Sequence, residues 1–437
     1  MYTIDWARLL SRTSEGTDKR FAGAIATDES PESGSRAVST VGTAPIVWYL
    51  GLTSFFTDVS SEMISSILPI YLVSFLHLSP LAFGTIDGVY QGFAAIARLA
   101  GGFIADRLRN HKRIASIGYV LSAVCKLALL AAGNAWSLIA LTIATDRAGK
   151  GIRTAPRDAL ISLNSDPRQL ATSFGVHRAL DAAGAMLGPL VAFMIVWRLP
   201  GNFDVLFAAS FSVAVIGVGI ILFFVEDAKR EPGEQAASLA GAVGLLRIPA
   251  FRHLCVAGAI LSLATASDSF LFLNLQQQTG FAAGYFPLLY VGVASVNSAL
   301  AVPFGRLADR RGRWRTFVAG HVMLLLVYAA LLTPAPSVVR LGLTLLLLGG
   351  YYAATDGVLT ALAAPTLPEN LRGSGLGLLV TTTNAARLLA STLFGALWQW
   401  LGLMHATVVF AALLAIALVG ATLTHRRQSP VSAATAV

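Results

Sequence analysis

Twelve apolar runs follow one another between residues 46 and 424, and no other feature constrains the fold as tightly. They cover 46–75, 81–105, 114–133, 136–158, 170–196, 204–225, 253–276, 283–305, 315–333, 339–363, 372–398 and 402–424. A hydrocarbon core of about 30 Å is crossed by ~20 residues at ~1.5 Å rise each, so each run is long enough to span it. Inside hydrocarbon every backbone N–H and C=O needs a partner within its own segment, which makes the runs helices. Composition excludes the soluble alternative. Only 13% of the 437 residues are charged and 55% are hydrophobic, whereas a soluble domain carries roughly 25% charged residues for its polar shell. The expected fold is an all-α membrane protein of twelve transmembrane helices.

Most connections between the runs are short. The exception is 226–252, where Glu226, Asp227, Lys229, Arg230, Glu231, Pro232 and Glu234 precede an amphipathic stretch ending in Arg247 and Arg252. It reads as a cytoplasmic linker between two pseudo-symmetric six-helix bundles, 45–225 and 253–425. A disordered tail, 1–44, precedes them and a short tail, 426–437, follows. Orientation comes from Lys and Arg in the short loops, which favour the cytoplasmic side. One side holds 18 of them and the other has two, Arg198 and Arg340. Both termini are thus expected in the cytoplasm of a multi-pass protein of the cell (inner) membrane. The net charge of +9 is then mostly topology, and nucleic acid is not an expected partner. Cys125 and Cys255 lie in apolar runs, with neither a disulfide framework nor metal-ligand spacing. The mixed-charge start lacks the apolar core of a cleavable signal, so the first helix is expected to direct insertion.

The two halves carry an internal repeat. Gly102-Phe-Ile-Ala-Asp106-Arg107 recurs as Gly305-Arg-Leu-Ala-Asp309-Arg310, each copy ending the second helix of its half. Asp58 in helix 1 and Asp268 in helix 7 look like a further pair. Parallel repeats of this kind place a binding site near the midplane, between the halves. The second copy, continued as Arg311-Gly312-Arg313, resembles the G-x-x-x-D-R-x-G-R signature of the major facilitator superfamily, in the place after helix 8 where that signature belongs. The first copy has Arg109 where the family has Gly. Helix 4 carries Arg147-Ala-Gly-Lys150-Gly151-Ile-Arg153-Thr-Ala155, similar to the R-x-x-Q-G-x-G-x-A motif of proton-coupled antiporters, with Lys150 and Arg153 in place of Gln and Gly. In helix 5, Gly184-Ala-Met-Leu-Gly188-Pro189 is similar to the G-x-x-x-G-P element associated with efflux, although small residues at that spacing also let any two helices pack closely. The resemblance covers residues 45–425 and implies alternating access. It also implies gating roles for Gly102, Asp106, Arg107, Gly305, Asp309, Arg310, Gly184, Gly188 and Pro189. An acid beside a helix N-terminus and several arginines makes a breakable latch in any case.

Ionisable side chains inside the spans cost about 2.5 to 3.5 kcal/mol each at the bilayer centre and so need a reason. Asp58 and Glu62 lie one turn apart on helix 1 and are expected to face a central cavity. They read either as proton carriers, as an ion pair that opens and closes, or as structure. Helix 4 aligns Asp146, Lys150, Arg153 and Arg157 on one stripe. By depth, Arg157 reads as an interfacial charge, while Asp146, Arg147 and Lys150 are cavity candidates. His177, Arg178 and Asp181 on helix 5 are either a tight helix contact or a proton relay. The second half offers Asp268, Asp356 and Arg387, with Asn297 and Asn384 as neutral partners. Lys126 and Arg98 are expected to snorkel or to pair structurally.

Nothing in the chain points to an enzyme: nucleophile elbow, metal cluster and phosphate-cradling loop are all missing from the sequence. The leading expectation is a secondary transporter that exports a small organic compound in exchange for protons. Proton coupling would then fall to Asp58, Glu62, Asp146, His177 and Asp181, and the substrate cavity to Arg147, Lys150, Arg178, Asp268, Asn297, Asp356, Asn384 and Arg387. The alternative, resting on Arg147, Lys150 and Arg178, is a carrier of an anionic metabolite, metal chelate or oxyanion. Expected partners are the substrate, protons and the lipid bilayer, for a monomer without cofactor.

Overall fold

The protein is described from a computed structural model covering residues 44–108, 110–133, 135–166, 169–226, 243–333, 337–368 and 371–428. The N-terminal tail to residue 43, most of the linker (227–242) and the last residues of the chain lie outside the described residues. So do the side chains of Gly102, Asp106 and Arg107. Among the described residues all regular structure is helical.

Each apolar run becomes one helical span. In order they are α1 (Pro45–Ser65, prolonged by short turns to Phe75), α2 (Pro80–Leu108), α3 (His111–Ala132), α4 (Trp136–Leu163), α5 (Leu170–Arg198) and α6 (Phe203–Phe224). The second half comprises α7 (Pro249–Thr279), α8 (Phe286–Arg311), α9 (Arg313–Leu332), α10 (Ser337–Thr366), α11 (Arg372–Leu401) and α12 (Leu403–Gln428). Eight of the spans are long and apolar enough, by length and composition, to cross a membrane. The four that fall short are α1, α2, α4 and α11, and some of them bury many polar side chains. Buried Thr53, Ser54, Thr57, Ser60, Ser61 and Ser65 on α1 are one example. Outward faces carry Trp48, Leu141, Met194, Phe223, Leu346, Trp400 and Ile416, all exposed, as expected of helices solvated by lipid.

Packing repeats with a shift of six helices. In the first half α1 packs on α5 and α6, α2 on α4, and α3 on α4 and α6; in the second, α7 packs on α11 and α12, α8 on α10, and α9 on α10 and α12. The halves meet through α2 against α11 and α5 against α8, two contacts that the same shift interchanges. Small residues allow the close approach. A Cβ on Gly84 would stand 2.7 Å from the Ser391 carbonyl, and one on Gly88 would stand 2.6 Å from the Leu388 carbonyl. On α5, Gly184 and Gly188 press in the same way on the α1 backbone at Phe55 and Val59.

Two spans of the second half are broken. In α7 the helix stops at Leu263 and restarts at Asp268. The backbone groups freed there are taken up by Tyr328 of α9, whose hydroxyl accepts from the Ala266 N–H at 2.8 Å and donates to the Ala264 carbonyl at 3.1 Å. Non-helical backbone at membrane depth is tolerated when protein satisfies it in this way. In α10 the break is Gly357, with φ of +79°, a conformation that favours glycine.

The end of the bundle away from the described termini is shut. There Phe83 of α2 meets Phe270 of α7 edge-on at 5.0 Å, Phe270 meets Phe394 at 4.5 Å, and the Leu81 N–H donates to Gln399 Oε1 at 3.2 Å. At the end bearing the termini Gly175 of α5, Gly305 of α8, and Gly373 and Gly377 of α11 have open space where a Cβ would go.

Candidate functional site

Between the halves lies a cavity of about 190 Å³. The first half contributes Glu62, Ser65, Phe83, Asp87, Tyr90 and Gln91, and the second Asp268, Ser269, Tyr290 and Tyr352. Three carboxylates and three tyrosines thus share one small volume. Ser65 Oγ donates to Glu62 Oε2 at 2.5 Å, and Tyr352 Oη donates to Asp268 Oδ1 at 2.7 Å. Asp268 is the first residue of the restarted half of α7, where the helix dipole favours a negative charge. Asp87 is 5% exposed and accepts from Ser391 Oγ across the seam between the halves.

Behind Tyr90, helices α3 and α4 enclose a clenched cluster. Asp146 is 9% exposed and Lys126 2%. Asp146 Oδ1 accepts from Lys126 Nζ at 2.6 Å and from Ser122 Oγ at 2.5 Å, and Oδ2 accepts from Arg147 Nη2 at 2.5 Å. The Arg147 guanidinium lies 4.1 Å from the Tyr90 ring centroid. All three charges are therefore engaged, and Tyr90 stands between them and the cavity as a cation–π partner.

Nearer the termini, α1, α4 and α5 hold a second charge cluster with looser geometry. Asp58 Oδ1 is 3.9 Å from both Lys150 Nζ and Arg153 Nη2, and Asp181 Oδ1 is 3.9 Å from Arg157 Nη1 and 3.7 Å from His177 Nε2. None of these is a hydrogen bond by length. The His177 ring and Arg153 Nη1 are buried without a hydrogen-bond partner. Arg153, 2% exposed, lies 4.7 Å from the Tyr119 ring centroid. Arg157 is not the interfacial charge expected from its depth. Its guanidinium donates to Ser54 Oγ at 3.0 Å and to Asp158 Oδ1 at 2.9 Å, because α4 continues to Leu163 and carries Arg157 inside the bundle.

Asp58 and Asp268 do not occupy equivalent places. Asp58 sits among the α4 cations, whereas Asp268 opens a half-helix at the cavity. The displacement of the Gly102 and Gly305 motifs sets Asp268 level with Ser65 instead. Glu62, though one turn from Asp58, is the one that reaches the seam cavity.

Of the remaining candidates, Asn297, Gly305, Asp309 and Asp356 line a second cavity of about 370 Å³ at the end bearing the termini, and Tyr352 forms a wall common to both cavities. Asp309 accepts from Arg313 Nη2 at 3.3 Å, and Arg313 Nη1 donates to the Ala361 carbonyl of α10 at 2.9 Å. The second motif thus ties α8, α9 and α10 together, with Arg310 exposed beside it. Arg387 Nη2 donates to Tyr351 Oη at 3.4 Å, and Asn384 meets Gly92 through its backbone carbonyl. Arg178 and Arg98 are exposed. Pro189 lies within α5, next to the glycines that pack on α1.

Sequence reasoning passed over Asp87, Tyr90, Tyr290 and Ser391. An acid in the middle of an apolar helix is itself a signal, and it singles out Asp87. The tyrosines and Ser391 carry no such mark, since only the contact between halves brings them to the cavity. Among the described residues no group of three or more His, Cys, Asp or Glu is placed to hold a metal ion.

Comparison with known proteins agrees with this architecture. The chain is 32% identical over 363 residues to an uncharacterized MFS-type transporter of Methanocaldococcus jannaschii, covering 81% of this chain and 88% of the relative. Over 134 residues, 30% of this chain and 33% of the relative, it is 34% identical to a multi-drug resistance efflux pump PmrA homolog of Lactococcus lactis. The fold matches the crystal structure of a mutant of the nucleoside transporter NupG with a TM-score of 0.74 at 14% identity, covering 86% of this chain and 99% of that one. The family model of the Major Facilitator Superfamily matches residues 50–391, and with two shifted six-helix halves closing on a shared cavity, the chain belongs to that superfamily.

Proposed function

We propose that the chain is a secondary active transporter that works by alternating access and exports a small, neutral or cationic organic compound in exchange for protons. The observation that carries this reading is the seam cavity, where Glu62, Asp87 and Asp268 converge with Tyr90, Tyr290 and Tyr352. Like charges crowded in a low-dielectric site need neutralising, and a proton and an organic cation are alternative ways to do it. Aromatic faces favour the cation as well. Exchange at one site is the chemistry of an antiporter. The likeness to a multi-drug efflux pump homolog over part of the chain supports the direction. The anionic alternative, which rests on Arg147, Lys150 and Arg178, has less support, because Arg147 is held by Asp146 and Tyr90 while Lys150 and Arg178 lie outside the lining of the seam cavity. With the Lys/Arg-rich end in the cytoplasm, the shut end would face away from the cytoplasm.

The test uses purified protein in proteoliposomes with an imposed proton gradient, benzyltrimethylammonium as the cationic probe and benzoate as the anionic one. Gradient-driven movement of the cation is expected, with Glu62→Gln lowering it about tenfold or more, the scale of losing one charge-assisted contact of ~1.5 to 3 kcal/mol. Gradient-driven movement of benzoate alone, unaffected by Glu62→Gln, would reverse the charge assignment.

A further inference from the structure

We propose that Asp87 is the proton-linked latch that holds the two halves together at the shut end. The proposal rests on the transport reading for its purpose, but not for its test. Asp87 belongs to α2 of the first half, and its carboxylate accepts from Ser391 Oγ on α11 of the second. Ser269, just after the break in α7 and also in the second half, lines the same cavity as Asp87. One acid of the first half is thus bonded to a hydroxyl of the other half. Gly84 and Gly88, one on each side of it along α2, are pressed against the α11 backbone so closely that water has no room between the helices there, while the cavity on its other side leaves Asp87 5% exposed.

The charged groups around Asp87 supply no cation. On its own helix Tyr90 and Gln91 follow, and across the cavity stand Glu62 of α1, Asp268 of α7, Tyr290 of α8 and Tyr352 of α10. Arg147 of α4 lies on the far side of Tyr90, bound to Asp146. Arg387 of α11, one turn from Ser391, is engaged by Tyr351. No ion pair among the described residues includes Asp87. A carboxylate shut into this seam would keep its charge with hydroxyl donors alone, which is costly. A proton removes the charge, occupies no extra space and leaves the bond to Ser391 available. Parting the seam exposes the carboxylate on the α11 side as well, and that added water solvates the charged form. Protonation and closure are therefore linked, and by reciprocity acid favours the shut seam while alkali favours the open one.

The test places spin labels at Leu81→Cys and Gln399→Cys, which face each other at the shut end, and reads their separation in lipid by electron–electron resonance. In the otherwise unchanged chain the short separation is expected to dominate at acid pH, with a longer one growing in at alkaline pH. Asp87→Asn, which keeps the shape and drops the charge, should hold the short separation at both. Ser391→Ala should lower the ratio of short to long at acid pH by about five- to tenfold, the worth of one bond to a buried group, and it carries the test alone should Asp87→Asn not fold. A separation that ignores pH in the parent, or that shifts with pH equally in Asp87→Asn, would overturn the latch. Neither result bears on cation flux, which judges the transport reading separately.

Discussion

At the scale of residues, burial decides which charges are structural. Lys126, Arg147 and Asp146 are all nearly inaccessible and make bonds of 2.5 to 2.6 Å, so removing one partner leaves an uncompensated charge in a dry interior. Asp146→Asn is expected to destabilise the protein by about 3 kcal/mol, the scale measured for breaking buried pairs. Lys126→Met combined with Asp146→Leu should recover part of that loss, since it removes one cation with the acid and leaves only Arg147, against the Tyr90 ring, without its carboxylate. Thermal unfolding of the single and double variants in detergent measures this, and losses that simply add would contradict the pairing. Asp146 was legible in the sequence as a membrane acid, but its partner was not. Lys126 on α3 reads as a lysine that snorkels or pairs structurally, and only the packing of α3 on α4 sets it against Asp146. Arg157 shows the same limit: counting depth along α4 puts it at the interface, while the continued helix buries it against Ser54 and Asp158.

At the scale of elements, the twelve runs predict the twelve helices because hydrocarbon leaves the backbone no other regular solution. The breaks within them were not legible. Residues 264–267 read Ala-Thr-Ala-Ser, with neither Pro nor Gly to mark an interruption. The interruption exists because Tyr328, from a different helix, offers one hydroxyl to both freed backbone groups. Tyr328→Phe removes that hydroxyl at almost constant shape and is expected to cost about 1 to 3 kcal/mol, the penalty for leaving buried polar groups without partners. Chemical unfolding by denaturant should show the loss, and amide exchange should rise at residues 264–267. Unchanged stability and exchange would mean that the break is supported by something other than Tyr328. The break matters to the site because it makes Asp268 the start of a half-helix facing the cavity.

At the scale of the whole molecule, the repeat in the sequence announced two similar halves but not how they touch. Gly84, Gly88 and Gly92 look like ordinary small residues of a membrane helix until α11 lies against them. That seam brings Asp87 to Ser391 and encloses Glu62 and Asp268 with it. The shut far end is then a consequence of how the halves meet, as expected if they rock about the cavity. This cavity is proposed to trade protons for an organic cation. The most direct measurement adds benzyltrimethylammonium to purified protein in weakly buffered solution and records pH. The account predicts proton release on binding, abolished or sharply reduced by Glu62→Gln together with Asp268→Asn, and none with benzoate. Binding of the cation without proton release, or proton uptake with benzoate, would contradict it.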